Sequence, residues 1–330
     1  MNTSLLTPLK LTLQYCNTCN LDCIFCYGDC GAQTRKELSC EQWKEFISYL
    51  VANGFIHVFF EGGEPFSRPE FMEILEFTCP QMLVWVRTNG TLITREIAHR
   101  LKQIHVGTVL IDLHGATAAT HDYLVGRNGS FEAARLAAVD LVNVGIPVFL
   151  LCILNRRNVA ELQEYLRLAT EIGAQKVGLL RLYPLGRAKR RWSELSLSLN
   201  ETMDAIRSLM VPSGIKLMQS WHPNDGNCCW QNAAVNAWGD SIGCPYLREY
   251  VNYGNILSIP FLETWHHPLW KALRSGNVVD SCSDCTGTQK SRGGCRSTAF
   301  AFHGMWDAPD PFCQTLNKGV DLRVLPQRLL

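Results

Sequence analysis

No stretch of this 330-residue chain is apolar over the roughly 18 residues that a membrane-spanning helix requires. Neither sign of charge is in excess: 31 Lys and Arg stand against 30 Asp and Glu, a formal net charge of +1. Nothing therefore marks nucleic acid as the main partner, since proteins that grip a phosphate backbone carry a surplus of cations. The opening residues, MNTSLLTPLKLTLQYC, have no basic leader and no small-residue cleavage site, so they do not read as an export signal. These absences leave a cytoplasmic globular chain, 47% hydrophobic and 18% charged, long enough for one large domain or one plus a small one.

What the chain has in abundance is cysteine. There are fifteen, an odd number, and without an export signal they argue for metal or redox chemistry in a reducing compartment, not for disulfides. Three of them, Cys19, Cys23 and Cys26, sit in the run CNLDCIFCY with the spacing C-x3-C-x2-C. Seven more crowd the last third: Cys228, Cys229, Cys244, Cys282, Cys285, Cys295 and Cys313. The remaining five, Cys16, Cys30, Cys40, Cys79 and Cys152, read mostly as small buried residues, the usual fate of a free cysteine. A [4Fe–4S] cluster takes four ligands, so three thiolates leave one iron open to a substrate. Zinc would instead require a fourth ligand, and Cys16 and Cys30 lie close enough in sequence to supply one.

From Leu9 to about Met210 strand-like and helix-like runs alternate. LKLTLQY leads into the cysteine loop, and Ser39 with Gln42 fits a capping box ahead of Trp43, Phe46, Ile47 and Leu50 on one helical face. IHVFF, MLVWVR, VGTVLIDL, PVFLLCIL and KVGLLRL follow as strands, with helices expected at Pro69–Phe77, Thr94–Ile104, Ser130–Val144 and Val159–Ile172. Ser130 and Asn200 are the expected caps of the fourth and sixth helices. Six βα units with near-continuous apolar strands predict a parallel sheet covered on its outer face, with chemistry at the C-terminal ends of the strands. After about Pro212 the rhythm breaks into turns, tryptophans and cysteines, a composition that calls for metal ligation to hold it.

The cysteine run resembles the signature of the radical S-adenosylmethionine (SAM) enzymes. The resemblance implies an α/β fold: a partial (βα)6 TIM-like barrel over residues 1–212, followed by a loop-rich auxiliary-cluster domain over 213–330. It also implies that the open iron chelates SAM and that reductive cleavage yields a 5′-deoxyadenosyl radical. Phe25 takes the place of the aromatic residue used against adenine, and Tyr27 completes the common C-x-x-C-Y ending. Glu61-Gly62-Gly63-Glu64-Pro65 looks like the family's GGE motif, in which the glycines permit close approach and Glu64 would meet the methionyl ammonium. Thr88-Asn89-Gly90 looks like its TNG turn. In Asp112-Leu113-His114-Gly115, Asp112 falls at the ribose-contacting place, and His114 replaces the usual Asp and would face the substrate. Ile153 and Asn155 fall near the adenine, and Arg181 near the SAM carboxylate or a substrate anion. The catalytic candidates are thus His114 and Arg181, while the run Arg187 to Arg191 reads as a solvated loop.

The later cysteines resemble the SPASM extension, which carries one or two further [4Fe–4S] clusters. Gly254-Asn255-Ile256 and Trp265 match it as well. By that likeness Cys229, Cys244 and Cys295, with Cys228, would serve an inner cluster, and Cys282, Cys285 and Cys313 an outer one. The chain departs from the family at Ser291, where relatives have a cysteine, so the outer site would lack one thiolate.

The resemblance implies an enzyme that modifies a peptide by crosslinking, epimerisation or oxidation. It would be served by an electron donor of flavodoxin or ferredoxin type. The barrel pattern begins almost at residue 1, which is expected to leave no room for a fused leader-binding domain and favours a separate peptide-recognition protein or a small substrate. The alternatives are chemistry on a sugar, nucleoside or aminoglycoside, and a non-catalytic Fe–S or zinc protein. The molybdenum-cofactor cyclase ends in Gly-Gly, whereas this chain ends Gln327-Arg328-Leu329-Leu330.

Overall fold

Eight parallel strands form a single sheet in the order β7-β6-β5-β4-β3-β2-β1-β8 in a computed structural model that describes residues 5–31, 35–221, 229–275, 278 and 293–330. The strands are β1 (Lys10–Cys16), β2 (His57–Gly62), β3 (Leu83–Thr88), β4 (Thr108–Asp112), β5 (Val148–Ile153), β6 (Lys176–Leu180), β7 (Lys216–Gln219) and β8 (Asn232–Val235). The first six are those the apolar runs predict, and each pairs in parallel with the next. The sheet then continues past residue 212, because β7 pairs with β6 and β8 returns to pair with β1.

Strand alternation divides the sheet into two faces. On one, Leu11, Leu13, Val58, Phe60, Val84, Val86, Val109, Ile111, Leu150 and Val177 are fully buried in the main core. The other face holds a second, smaller apolar cluster of Phe59, Leu110 and Leu151, flanked by Trp85, Phe149, Leu180 and Met218. Above it, at the C-terminal ends of the same strands, the side chains turn polar: Gln14 on β1, Glu61 on β2, Arg87 on β3 and Asp112 on β4. An apolar plug beneath a polar rim is the arrangement a partial barrel needs to keep its chemistry at one end.

Local sequence explains most helix boundaries. Ser39 and Gln42 exchange both bonds of the capping box, and Trp43, Phe46, Ile47 and Leu50 are buried along the helix Cys40–Ala52. Two caps differ from expectation. The helix Ser130–Asn143 begins after Gly129, which adopts φ +81, so Ser130 is already inside it. Ser198, not Asn200, caps Leu199–Arg207, because Glu201 stands three residues on and closes a capping box. A further helix, Ala118–Val125, has too little amphipathic pattern to be read from sequence. No helix among the described residues is long and apolar enough to cross a membrane.

The C-terminal segment shares the barrel's core. Phe261 packs edge-on against Phe46 and Phe55 at 5.7 and 5.9 Å, and Trp265, Trp270, Phe302 and Phe312 join the same cluster. The two parts are also latched by a charge pair. Arg181, one residue beyond β6, donates to Asp310 at 2.7 Å with both side chains fully buried. Asp310 further accepts from Thr298 Oγ1 (2.7 Å), the Cys295 amide (2.9 Å) and the Phe312 amide (3.0 Å). Removing the guanidinium strands a buried carboxylate, so Arg181→Met is expected to cost about 3–5 kcal/mol in urea denaturation. A loss under about 1 kcal/mol, the range of a surface pair, would show that water reaches the site.

Candidate active site and cluster-binding cleft

The cysteine loop leaves β1 and is held against the end of β2 first by backbone contact. The Gly63 amide donates to Cys16 O at 2.7 Å and the Glu64 amide to Thr18 O at 2.8 Å. A Cβ on Gly62 would lie 2.4 Å from Cys16 O, and one on Gly63 2.1 Å from Thr18 O. The glycine pair is therefore required by packing before any ligand is considered. Glu37 completes the hold by accepting from the amides of Asn17 (2.8 Å) and Thr18 (3.0 Å).

This loop forms one wall of a cleft that opens to solvent at the C-terminal ends of the strands. Cys19, Cys23, Phe25 and Cys26 line it from the loop, and Gly62 and Gly63 from β2. Thr88 and Asn89 line it after β3, Asp112 and His114 after β4, and Ile153 at the end of β5. Burial pushes the Cys23 thiol up and the Cys19 thiol up to about 12, whereas a hydrogen bond with Cys30 brings Cys26 down to about 6. Cys30 lines the cleft too and makes a fourth thiol there. Among the described residues no cysteine is in a disulfide. At least one pair of the Cys19, Cys23 and Cys26 sulfurs lies more than 4.8 Å apart. A single zinc would draw its thiolates to about 3.8 Å of one another, given Zn–S near 2.3 Å. Three thiols around one cleft match the three thiolates that would leave one iron of a [4Fe–4S] cluster open.

The polar rim forms a connected network. Arg87 grips both oxygens of Asp112 (2.9 and 3.0 Å) and lies 3.7 Å from Glu61. Burial opposes charge on Arg87, but Asp112, Tyr246 and Glu61 outweigh it and hold the guanidinium protonated. Burial also raises Asp112, against the pull of Arg87. Tyr27 donates to Glu61 at 2.9 Å, and Gln14 donates to both. Arg87, Glu61 and Gln14 escaped the sequence reading. Strand parity alone could have found them, as polar residues on an otherwise apolar face.

His114 is buried, and its Nδ1 accepts the Ile153 amide at 3.3 Å, which leaves the ring proton on Nε2. Desolvation lowers its pKa, so the ring is neutral. Phe25 meets it edge-on at 4.5 Å.

Three candidates lie off the cleft wall. Glu64 is fully buried, and its carboxylate is taken up by the Asn89 amide (2.7 Å), Thr88 Oγ1 (2.8 Å) and the Phe66 amide (3.1 Å). It braces the turn after β3 through both of its oxygens. Asn155 is likewise buried and spends its side chain on Ile153 O and the Arg157 amide, both at 2.9 Å. Arg181 belongs to the latch with Asp310. Nor is the basic run uniformly solvated: Arg190 and Arg191 are exposed, but Arg187 is folded onto the cysteine loop.

Among the later cysteines, Cys244 is raised first by burial and then by the nearby Cys229 and Cys295 thiols, which places those three in one neighbourhood. Cys313 lies 3.2 Å from Thr315 Oγ1. Cys228, Cys282, Cys285 and Ser291 lie outside the described residues. An aromatic bridge connects this neighbourhood to the cleft. Tyr246, two residues after Cys244, meets Tyr27 at 5.0 Å and stacks on Tyr183 at 3.7 Å.

Comparison with known proteins agrees with this geometry. The Radical SAM superfamily model matches residues 13–169, and the iron–sulfur cluster-binding SPASM domain matches residues 228–286. The chain is 32% identical to mycofactocin maturase MftC of Mycobacterium tuberculosis (strain H37Rv), covering 93% of this chain and 83% of that one. It is 28% identical to the AdoMet-dependent heme synthase of Methanosarcina barkeri, over 89% of this chain and 93% of the other. Streptococcus suis SuiB, solved bound to its precursor peptide SuiA, superposes with a TM-score of 0.76 at 16% identity, over 95% of this chain and 77% of that one.

Glu64 yields a pH prediction. Burial raises its pKa from 4.5 to about 7, outweighing its three donors. The shift corresponds to roughly 3 kcal/mol. The protonated carboxyl favours the fold; this contribution is whole below pH 4.5 and is lost as pH rises through about 7. Before metal loading, the stability of the wild-type chain relative to Glu64→Gln is expected to fall across that window in urea titrations. A difference that does not vary with pH would mean that the donors keep the group ionised throughout.

Proposed function

The chain belongs to the radical SAM superfamily and carries a SPASM-type iron–sulfur extension, and from that premise we propose that it modifies a peptide. The observation that carries the substrate class is the 32% identity, spanning 93% of the chain, to a maturase. The same fold in SuiB accommodates a precursor peptide. A second reading, chemistry on a small molecule, draws support from the 28% identity to a heme synthase.

In this proposal Cys19, Cys23 and Cys26 hold the cluster with an open iron. Cys229, Cys244, Cys295 and Cys313, with Cys228, Cys282 and Cys285, serve the auxiliary sites. When bound, cluster and SAM together supply a 5′-deoxyadenosyl radical able to take hydrogen from an unactivated C–H bond. The protein's own task is then to orient and to exclude. Gly62 and Gly63 let a ligand approach bare backbone. Phe25 and Ile153 offer apolar surface to an adenine. Asp112, already oriented by Arg87, keeps lone pairs for ribose hydroxyls. Asn89 and Thr88 shape the opposite wall, held there by Glu64. Neutral His114 offers a hydrogen-bond donor without adding charge. The apolar plug of Phe59, Leu110 and Leu151 keeps water from reaching the cleft from below. Such a site needs one electron from a low-potential donor, of flavodoxin or ferredoxin type, and a cytoplasmic setting suits both that donor and reduced thiols.

The test is anaerobic reconstitution with iron and sulfide, followed by SAM, a strong reductant and candidate peptides. Wild-type protein is expected to release 5′-deoxyadenosine and to change the peptide's mass. Cys19→Ala/Cys23→Ala/Cys26→Ala is expected to do neither while keeping iron–sulfur absorbance from the extension. Undiminished cleavage by the triple variant would overturn the assignment of the cluster. Cleavage that is stimulated by a small molecule and by no peptide would replace the first reading with the second.

A further inference from the structure

Arg187 lies beyond β6, in the short helix Gly186–Arg190. Its Nε donates to Cys23 O at 2.8 Å, one terminal nitrogen donates to Cys30 O at 2.8 Å, and its amide donates to Cys26 O at 2.9 Å. The preceding Gly186 has φ +51, and a Cβ there would lie 2.5 Å from Cys26 O. Only glycine lets this segment come so close. Glu249 of the extension accepts the Gly186 amide at 2.7 Å and pairs with Lys189 at 2.7 Å, so the contact is fixed from a third side.

The guanidinium brings charge as well as hydrogen bonds. Its field acts on the thiols of Cys26, Cys23 and Cys19. Two carboxylates answer it, Asp29 at 3.2 Å and Asp22 at 3.4 Å. Their side chains are 46% and 82% exposed, against 15% for Arg187. Water and salt screen exposed charges far more than partly buried ones, so these two offset Arg187 only in part, while Glu64 and Asp112 act against it on Cys19 and Cys23 from the buried side. Reduction adds an electron to a centre already bearing three thiolates, and a nearby cation favours the reduced form.

We propose that Arg187 is a positioning residue that both pins the cysteine loop and raises the reduction potential of the cluster that Cys19, Cys23 and Cys26 hold. The inference rests on the radical SAM reading and deepens it. The run Arg187 to Arg191 has the look of a solvated loop in sequence, yet its first residue sets a cation on the loop that carries the three thiols.

The test is an EPR-monitored redox titration of the anaerobically loaded full-length protein, following the signal that responds to added SAM. Arg187→Gln keeps donors to the carbonyls and removes the charge, so the midpoint is expected to shift downward. Arg187→Lys keeps the charge and loses the fork, so the midpoint is expected near the wild-type value with poorer retention of iron. Asp29→Asn removes an opposing anion, so the midpoint is expected to rise. A loaded Arg187→Gln protein with the wild-type midpoint overturns the inference and leaves the function intact. Should that variant fail to hold the cluster, a midpoint in Arg187→Lys that falls well below the wild-type value overturns it instead, because the charge is kept there. Wild-type protein with no SAM-responsive signal would sink the functional reading itself, and this inference with it.

Discussion

The contact on which the site depends is one of backbone against backbone, where Gly62 and Gly63 press on Cys16 and Thr18. With Cβ positions only 2.4 and 2.1 Å from carbonyl oxygens, no other residue type fits, and two amide bonds run through the same contact. It joins the ends of β1 and β2, so it fixes where the cysteine loop starts and how far it stands from the polar rim. The turn after β3 is then braced by Glu64, which leaves the glycine pair directly. One short segment therefore positions two walls of the cleft. Its amide and carboxylate groups serve the fold first, and the ligand meets the surface they leave.

Charge in the cleft is arranged by the same economy. Glu61 and Asp112 flank Arg87, so two carboxylates and one guanidinium lie close together with little water among them. Neutral His114 adds nothing to this balance. A hydrogen-atom transfer creates no charge, so it needs no developing charge to be met. What the site has is a hydrogen-bonded rim over an apolar plug, which suits a reaction whose chief hazard is the wrong hydrogen donor.

Much of this was legible in the sequence because it is local. The cysteine spacing, the glycine pair, the TNG turn and the apolar strands each occupy a few consecutive residues. Their order along the chain matches the order of strand ends around the cleft. The misplaced residues are those whose partners are remote. Arg181 has the position of a cleft residue, but its partner lies 129 residues away at Asp310. Arg187 sits in a run that looks solvated, and its acceptors are carbonyls more than 150 residues earlier. Glu64 carries the expected motif, yet its acceptor atoms are claimed by a turn some 25 residues on. Spacing reports the residue types available at a site; which way a long polar side chain goes is settled by tertiary contacts.

The return of β8 to the edge of β1 bears on how the protein is made. Lys10 pairs with Asn232 and Leu13 with Val235, more than 200 residues away in sequence. While a ribosome is still building the barrel, β1 has one flank without a partner, and unpaired strand edges invite mispairing. Contacts this distant in sequence also form slowly. The strand that presents the three cysteines is consequently among the last to be sealed, although it is among the first to be synthesised. The wall of the cleft that these cysteines form is therefore completed only when sequence from the far end of the barrel has arrived.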